Sequence, residues 1–213
     1  MLATGADVSY VGQVSSQLTS AAPRQGLNPR QAETVEKLMA AGLEELRAVG
    51  HETLTVRTVA QRAGVSPATA YTYLASKNHL FAELFWRHLA DLDVPPPAPD
   101  ATPTRRLQET VRALTARIVE EPALATAVTP ALLGSDPDVA RLRLKIGAEF
   151  LRRFEDALRD PGRPEEPVDP AVVEVIVLTW SGALLQAGMG LMTYEEMAQR
   201  LESAVDVILR GNR

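Results

Sequence analysis

Apolar residues recur along this chain at steps of three and four, and they alternate with polar ones over no useful length. The first run places Val35, Leu38, Met39, Leu43 and Leu46 on one helical stripe. Asn28-Pro29 opens that helix with a capping side chain and a proline at the first helical position, and Gly50 closes it. A short second helix follows, capped by Thr55, with Val56, Val59, Ala60 and Ala63 inward and Gly64 as its stop. Ser66-Pro67 opens a third helix, and Ser76 caps a fourth that carries Leu80, Phe81, Leu84, Phe85 and Leu89. Later periods predict helices over 104–120, 122–132, 137–159, 170–191 and 194–210, so the expected fold class is all-α.

Proline divides the pattern. Residues 93–103 read DVPPPAPDATP, and five prolines in eleven residues suit neither helix nor inner strand. This linker separates an N-terminal domain, 28–92, from a C-terminal domain, 93–213. Residues 1–27 are rich in Ser, Ala, Gly, Thr and Gln without an apolar period, and read as a disordered tail. PGRPEEPVDP at 161–170 is a second break.

Composition narrows the chemistry. The chain of 213 residues has no cysteine, which removes disulfides, thiolate metal sites and a cysteine nucleophile. Its three histidines, His51, His79 and His88, leave the second half without a histidine metal site, and neither a metal nor a cofactor is expected. The net charge is −5 but uneven: residues 24–91 hold eight basic and seven acidic side chains, the rest fourteen and twenty. The N-terminal part is thus near neutral and the remainder acidic, a balance that argues against a general nucleic-acid coat protein. Val175–Tyr194 is uncharged and about the length of a membrane span, yet it carries Thr179, Ser181, Gly182, Gln186, Gly188 and Gly190 with no basic cluster nearby. It reads as a packed helix of a cytoplasmic protein, with no membrane partner.

The informative stretch is Thr55–Leu80, TVRTVAQRAGVSPATAYTYLASKNHL. Two short helices about a glycine turn make the helix-turn-helix of DNA-binding proteins. The third helix begins with small residues, Ser66, Pro67 and Ala68, so its end can approach base edges. Thr69 offers a hydroxyl and a methyl. Tyr71 and Tyr73 can reach phosphates, Lys77 supplies a cation, and Arg57 reaches a guanine or the backbone.

Here the chain resembles the TetR family of transcriptional regulators. The resemblance rests on Val65-Ser66-Pro67-Ala68-Thr69-Ala70-Tyr71-Thr72-Tyr73-Leu74-Ala75-Ser76-Lys77, extended upstream by Thr55-Val56-Arg57 and Ala60-Gln61-Arg62-Ala63-Gly64. It covers about residues 30–90. Leu74 stands where the family usually has Phe, and Ala70 where it has a larger apolar residue. The resemblance implies DNA contacts by Thr69, Tyr71, Tyr73 and Lys77, with Arg57 as a base or phosphate reader and Thr55, Ser66, Pro67 and Ala68 at the same surface.

It also implies a three-helix reading domain followed by a helical domain for effector binding and dimerisation. The homodimer would be built from the last two helices, and the sequence permits this. Helix 170–191 is apolar nearly all round, its Ser181, Gly182, Ala183, Gly188 and Gly190 allow close approach, and the last helix shows Met197, Leu201, Val205 and Ile208. A small-molecule pocket in the middle helices is implied too. Its candidate lining is Phe85, Trp86, Leu89, Leu114, Ile118, Leu132, Phe150, Phe154 and Trp180, with Glu149 or Gln186 as a polar anchor. Each of these apolar residues reads equally well as core. The expected action is repression of a palindromic operator, released when a mainly hydrophobic ligand tilts the fourth helix and changes the spacing of the two reading heads. An activator of the same fold and a helical protein-interaction adaptor are the alternatives. No phosphate loop, HExxH or nucleophile elbow supports an enzyme.

Overall fold

The computed structural model describes residues 28–93, 98 and 100–210. The tail expected over 1–27 and part of the proline-rich linker lie outside these residues. Among the described residues there are nine helices and no strand. They are α1 (Pro29–Thr53), α2 (Val56–Arg62), α3 (Pro67–Tyr73), α4 (Lys77–Ala90), α5 (Pro103–Val119), α6 (Pro122–Leu133), α7 (Pro137–Leu158), α8 (Pro170–Gly188) and α9 (Tyr194–Arg210). Six of the nine begin on proline, whose fixed φ suits a first turn and whose missing N–H costs nothing there.

The chain forms two compact units. One holds the described residues up to Asp93 together with Leu114–Arg143, and so includes all of α1 to α4 and α6. The other holds the remaining part of α5, α7 from Leu144 onward, and α8 with α9.

In the first unit, α1 is opened by a reciprocal capping box between Asn28 and Gln31. Gly50 adopts φ 75°, a left-handed conformation that breaks α1 and leaves one further turn to Thr53. Gly42 sits where a Cβ would lie 2.9 Å from a methyl of Leu80, so a side chain there would push aside the end of that buried leucine. Leu38, Leu46, Leu54, Leu74, Leu80, Phe81, Phe85 and Leu89 are all buried. Packed on α1 and α4 is α6, an apolar helix whose Leu124, Ala125, Ala127, Val128 and Ala131 are covered. Glu121, just before α6, pairs with Arg47 of α1.

The second unit is organised by one guanidinium. Arg106, 5% exposed, donates to the carbonyls of Ala157, Leu158 and Arg159, which α7 leaves without helical partners at its end, and to Ala101. Trp180 of α8 lies against Phe150 and Phe154 of α7, with ring centroids 5.2 and 5.6 Å apart in tilted and edge geometry. Helix α8 ends earlier than its apolar run implies. Gly190 turns left-handed at φ 74°, and the Leu191 and Gly190 amides return to Gln186 and Ala187. Gly190 is therefore a stop outside the helix, and the close-packing role expected for it does not hold.

Arg106→Met should destabilise the chain by about 2–3 kcal/mol, because buried carbonyls lose a charged donor. Urea unfolding measures this, and a loss below about 0.5 kcal/mol would place those carbonyls among ordinary solvated groups.

Candidate nucleic-acid interface

The exposed surface of α2 and α3 is set by what each helix buries. Thr55 caps α2 by accepting the Thr58 amide at 3.1 Å, and the Thr58 hydroxyl accepts the Thr55 amide at 3.2 Å in return. Val56, Val59 and Ala60 are buried, which leaves Thr55 and Arg57 outward. Arg62, at the end of α2, donates to Glu45 of α1 at 2.7 Å, and Glu45 is itself buried. That charge-assisted bond holds α2 against α1. Gly64 makes the turn at φ 68°, and the Val65 amide reaches back to the Ala60 carbonyl.

Ser66 then caps α3, accepting the Thr69 amide at 3.0 Å while its hydroxyl lies 2.8 Å from that of Thr69. Ala70 and Leu74 are buried, 0% and 1% exposed. These are the two positions where the sequence departs from the family pattern, and both are core. The opposite side presents Ser66, Pro67, Ala68 and Tyr71, with Tyr71 54% exposed. Thr69 and Tyr73 are half-buried, less open than the sequence suggests. The Thr72 hydroxyl is turned back to the Ala68 carbonyl at 3.1 Å.

Lys77 occupies a place that sequence reasoning missed. Its ammonium donates to the carbonyls of His51 and Glu52 at 3.1 and 3.2 Å, and so caps the last turn of α1. An ammonium has three protons, so one remains for a phosphate. By contrast Arg57 makes no side-chain hydrogen bond or ion pair among the described residues.

Ser76 is also used twice. It caps α4 by accepting the His79 amide at 3.0 Å, and its hydroxyl donates to Asp136 at 2.6 Å. The other Asp136 oxygen accepts the Asp138 amide at the start of α7. One carboxylate thus joins the first turn of α4 to the first turn of α7. The Ser76 hydroxyl holds the Asp136 carboxyl below its ordinary range, aided by the Asp138 and Val139 amides and opposed by burial. Beside this joint, Ala82 of α4 packs with Val139 and Leu142 of α7, under Trp86 and Leu132.

The residues expected to line a pocket divide between the units. Phe85, Leu89, Leu114 and Ile118 are buried in the first, where Trp86 and Leu132 also lie, half-buried. Phe150, Phe154 and Trp180 come together in the second. Of the two polar anchors considered, Glu149 is paired with Arg152 and Arg153 at 2.7 and 2.6 Å. Gln186 is exposed on a shallow cleft of about 390 Å³ with Leu178, Gly182, Ala183 and Leu201. A second cleft, about 470 Å³, lies in the first unit between Met39, Leu43, Leu84, His88, Arg117 and Leu124.

Comparison with known proteins agrees with this geometry. The family described as bacterial regulatory proteins, tetR family, matches residues 38–84. An uncharacterized HTH-type transcriptional regulator of Mycobacterium tuberculosis is 42% identical over 192 residues, 86% of this chain and 84% of that one. The HTH-type transcriptional repressor KstR of Rhodococcus jostii is 28% identical over 180 residues, 84% of each. The crystal structure of a TetR transcriptional regulator from Rhodococcus sp. RHA1 superposes with TM-score 0.69 at 23% identity, over 84% of this chain and 96% of that one. The transcriptional regulator FadR from Bacillus subtilis, in complex with stearoyl-CoA, gives TM-score 0.59 at 17% identity, over 82% and 97%.

Two outcomes follow from the site. Tyr71→Ala should leave the melting temperature within about 2 °C of wild type while weakening DNA binding, because an exposed ring contributes little to the core. A large drop in stability would identify Tyr71 as core. For Asp136, a carboxyl whose folded pKa is depressed stabilises fully above its unfolded value and loses that contribution as pH falls through the folded one. Stability should therefore decline below about pH 4, less steeply in Asp136→Ala, which has no such group. Parallel acid limbs in the two proteins would remove Asp136 from this role.

Proposed function

The chain belongs to the TetR family of bacterial regulatory proteins, and from that membership we propose that it is a homodimeric repressor, seated on a palindromic operator by two copies of α3 and released by a small, mainly hydrophobic ligand. It is a transcriptional regulator, and its KstR relatives are named as repressors. The observation that carries the reading is the outward surface of α2 and α3. Small residues at the helix start allow close approach to base edges, with Thr69, Tyr71 and Tyr73 beyond them and Thr55 and Arg57 alongside. In this reading Arg57 is the principal cation, and Lys77 reaches phosphate with its remaining proton while capping α1.

Dimerisation is supported by the apolar surface that one chain leaves open. Val175 and Leu178 of α8 and Val207 of α9 are 46%, 59% and 68% exposed. A Cβ built at Gly182 meets nothing within 4 Å, so that position admits a neighbouring helix. Helix α8 is long and apolar enough to cross a membrane, with only 28% of its most apolar window buried. A second copy of α8 and α9 accounts for this surface in a protein that works on DNA in the cytoplasm. Ligand control is supported by the aromatic group around Trp180 and by the stearoyl-CoA held in a structural neighbour of the same fold.

The reading is tested by gel shift on DNA from upstream of the chain's own gene and by binding-site selection, with competitor present. A discrete shift is expected whose log affinity falls with log salt concentration, at a slope set by the few cations that reach phosphate, as those contacts release counterions. A folded dimer that selects no DNA sequence would favour the adaptor. Gly182→Trp should give a helical monomer by sedimentation, with operator affinity lowered about a hundredfold as bivalence is lost. A variant that stays dimeric would place the interface elsewhere.

A further inference from the structure

Among the described residues, one buried side-chain polar atom has no hydrogen-bond partner, the indole Nε1 of Trp180. Trp180 is 1% exposed. Buried indole N–H groups usually find an acceptor, because water would otherwise have supplied one. Backbone carbonyls within α8 serve the helix itself, and no oxygen, that of the neighbouring Thr179 hydroxyl included, accepts from the indole among the described residues. The rings against the indole, Phe150 and Phe154, offer no oxygen or nitrogen. The indole is thus a donor held within apolar walls.

We propose that this N–H is the polar anchor of the effector site, and that the effector is an apolar molecule carrying an uncharged carbonyl oxygen, which accepts from Trp180 while its hydrocarbon packs on Phe150 and Phe154. The inference rests on the ligand-responsive reading above and deepens it. Trp donates and does not accept, so the ligand's matching atom is an acceptor. An uncharged acceptor fits better than a carboxylate. The buried cation on this stretch of α7, Arg153, is already paired with Glu149 at 2.6 Å, so a buried anion would gain no free positive charge. Of the two polar anchors the sequence suggests, Glu149 is ion-paired and Gln186 is an exposed amide, which leaves the indole as the buried donor.

The test removes the donor and keeps the ring. Replacing Trp180 with 3-benzothienylalanine puts sulfur in place of N–H at nearly unchanged shape. In the free protein no hydrogen bond is lost, so the melting temperature should hold or rise. A fall of several degrees would show that the N–H is already bonded, to ordered water for example, and would overturn the proposal. Binding is then measured with 2-decanone and with decane as probes. The ketone should bind about tenfold more weakly to the replaced protein and the alkane equally to both. Equal loss for the two probes, no loss for either, or no binding of the ketone to the native protein would each overturn the anchor. A second measurement needs no variant: the Trp180 indole proton signal should move downfield on adding 2-decanone, and an unmoved signal at saturation counts against the proposal. Operator release separates the two levels. A ketone that releases DNA regardless of the replacement leaves the ligand-responsive reading intact and removes the anchor. Apolar ligands that bind and never alter DNA binding remove the reading itself.

Discussion

A seven-residue helix forms too few internal hydrogen bonds to persist in water, so the surface of α3 exists only as long as its surroundings hold it. The surroundings act at both ends and beneath. Ser66 ties down the first turn, Ala70 and Leu74 anchor the inner side, and Ser76 starts the next helix three residues after α3 ends. Beneath α3 lies α2, equally short, held by the Thr55–Thr58 box and by Arg62 on Glu45 of α1. Helix α1 is the one long support, and its last turn is closed by Lys77 from α4. The exposed surface of α3 therefore depends on a set of caps, local ones from Asn28, Thr55, Ser66 and Ser76 and one from a distant helix, Lys77 on the end of α1. Small exposed residues on α3 can then serve binding without serving stability.

The same arrangement explains how a signal could reach α3. Its C-terminal neighbour α4 is bound at its first turn to Asp136, which also starts α7, and along its length to Val139 and Leu142. At its other end α4 exchanges two hydrogen bonds with α5. The Arg117 side chain donates to the His88 carbonyl at 2.7 Å, and the His88 ring donates to the Arg117 carbonyl at 2.5 Å. Both ends of α4 are thus fastened to helices that follow the linker. Within the first unit, the end of α5 or the first turns of α7 cannot shift and leave α4 where it was unless one of these bonds breaks.

Features set within one turn were legible in the sequence. Asn28, Thr55, Ser66 and Ser76 cap as their neighbours imply, and the proline openings place helix starts within a residue or two, because caps depend on atoms three positions apart. What was not legible pairs residues distant along the chain. Lys77 lies 26 residues from His51, Ser76 60 from Asp136, and Arg106 51 from Ala157, and no local pattern marks such partners. Gly190 departs from its sequence expectation for a related reason: a glycine at the end of an apolar run looks the same whether it admits a neighbour or turns the chain. The aromatic candidates met a similar ambiguity. Phe85 and Phe154 have the same helical spacing and the same burial, and only the fold assigns one to each unit.

The scarcity of free positive charge bears on how such a protein reads DNA. Between Arg30 and Arg87, Lys37, Arg47, Arg62 and Arg87 are each paired with carboxylates, and Lys77 spends two of its three protons on carbonyls. Only Arg30 and Arg57 keep side chains without a partner among the described residues, and Arg57 belongs to the helix-turn-helix. A head with so little free charge gains little from long-range attraction, and a chain of net charge −5 gains less. In the dimeric reading proposed above, affinity comes from fitted short-range contacts at α3 and from joining two heads. Discrimination benefits, because non-specific binding to phosphate is the part that charge supplies. In that proposed reading, where two heads must fit together, a modest change in their spacing removes most of the affinity, and no single contact has to be broken by the ligand itself.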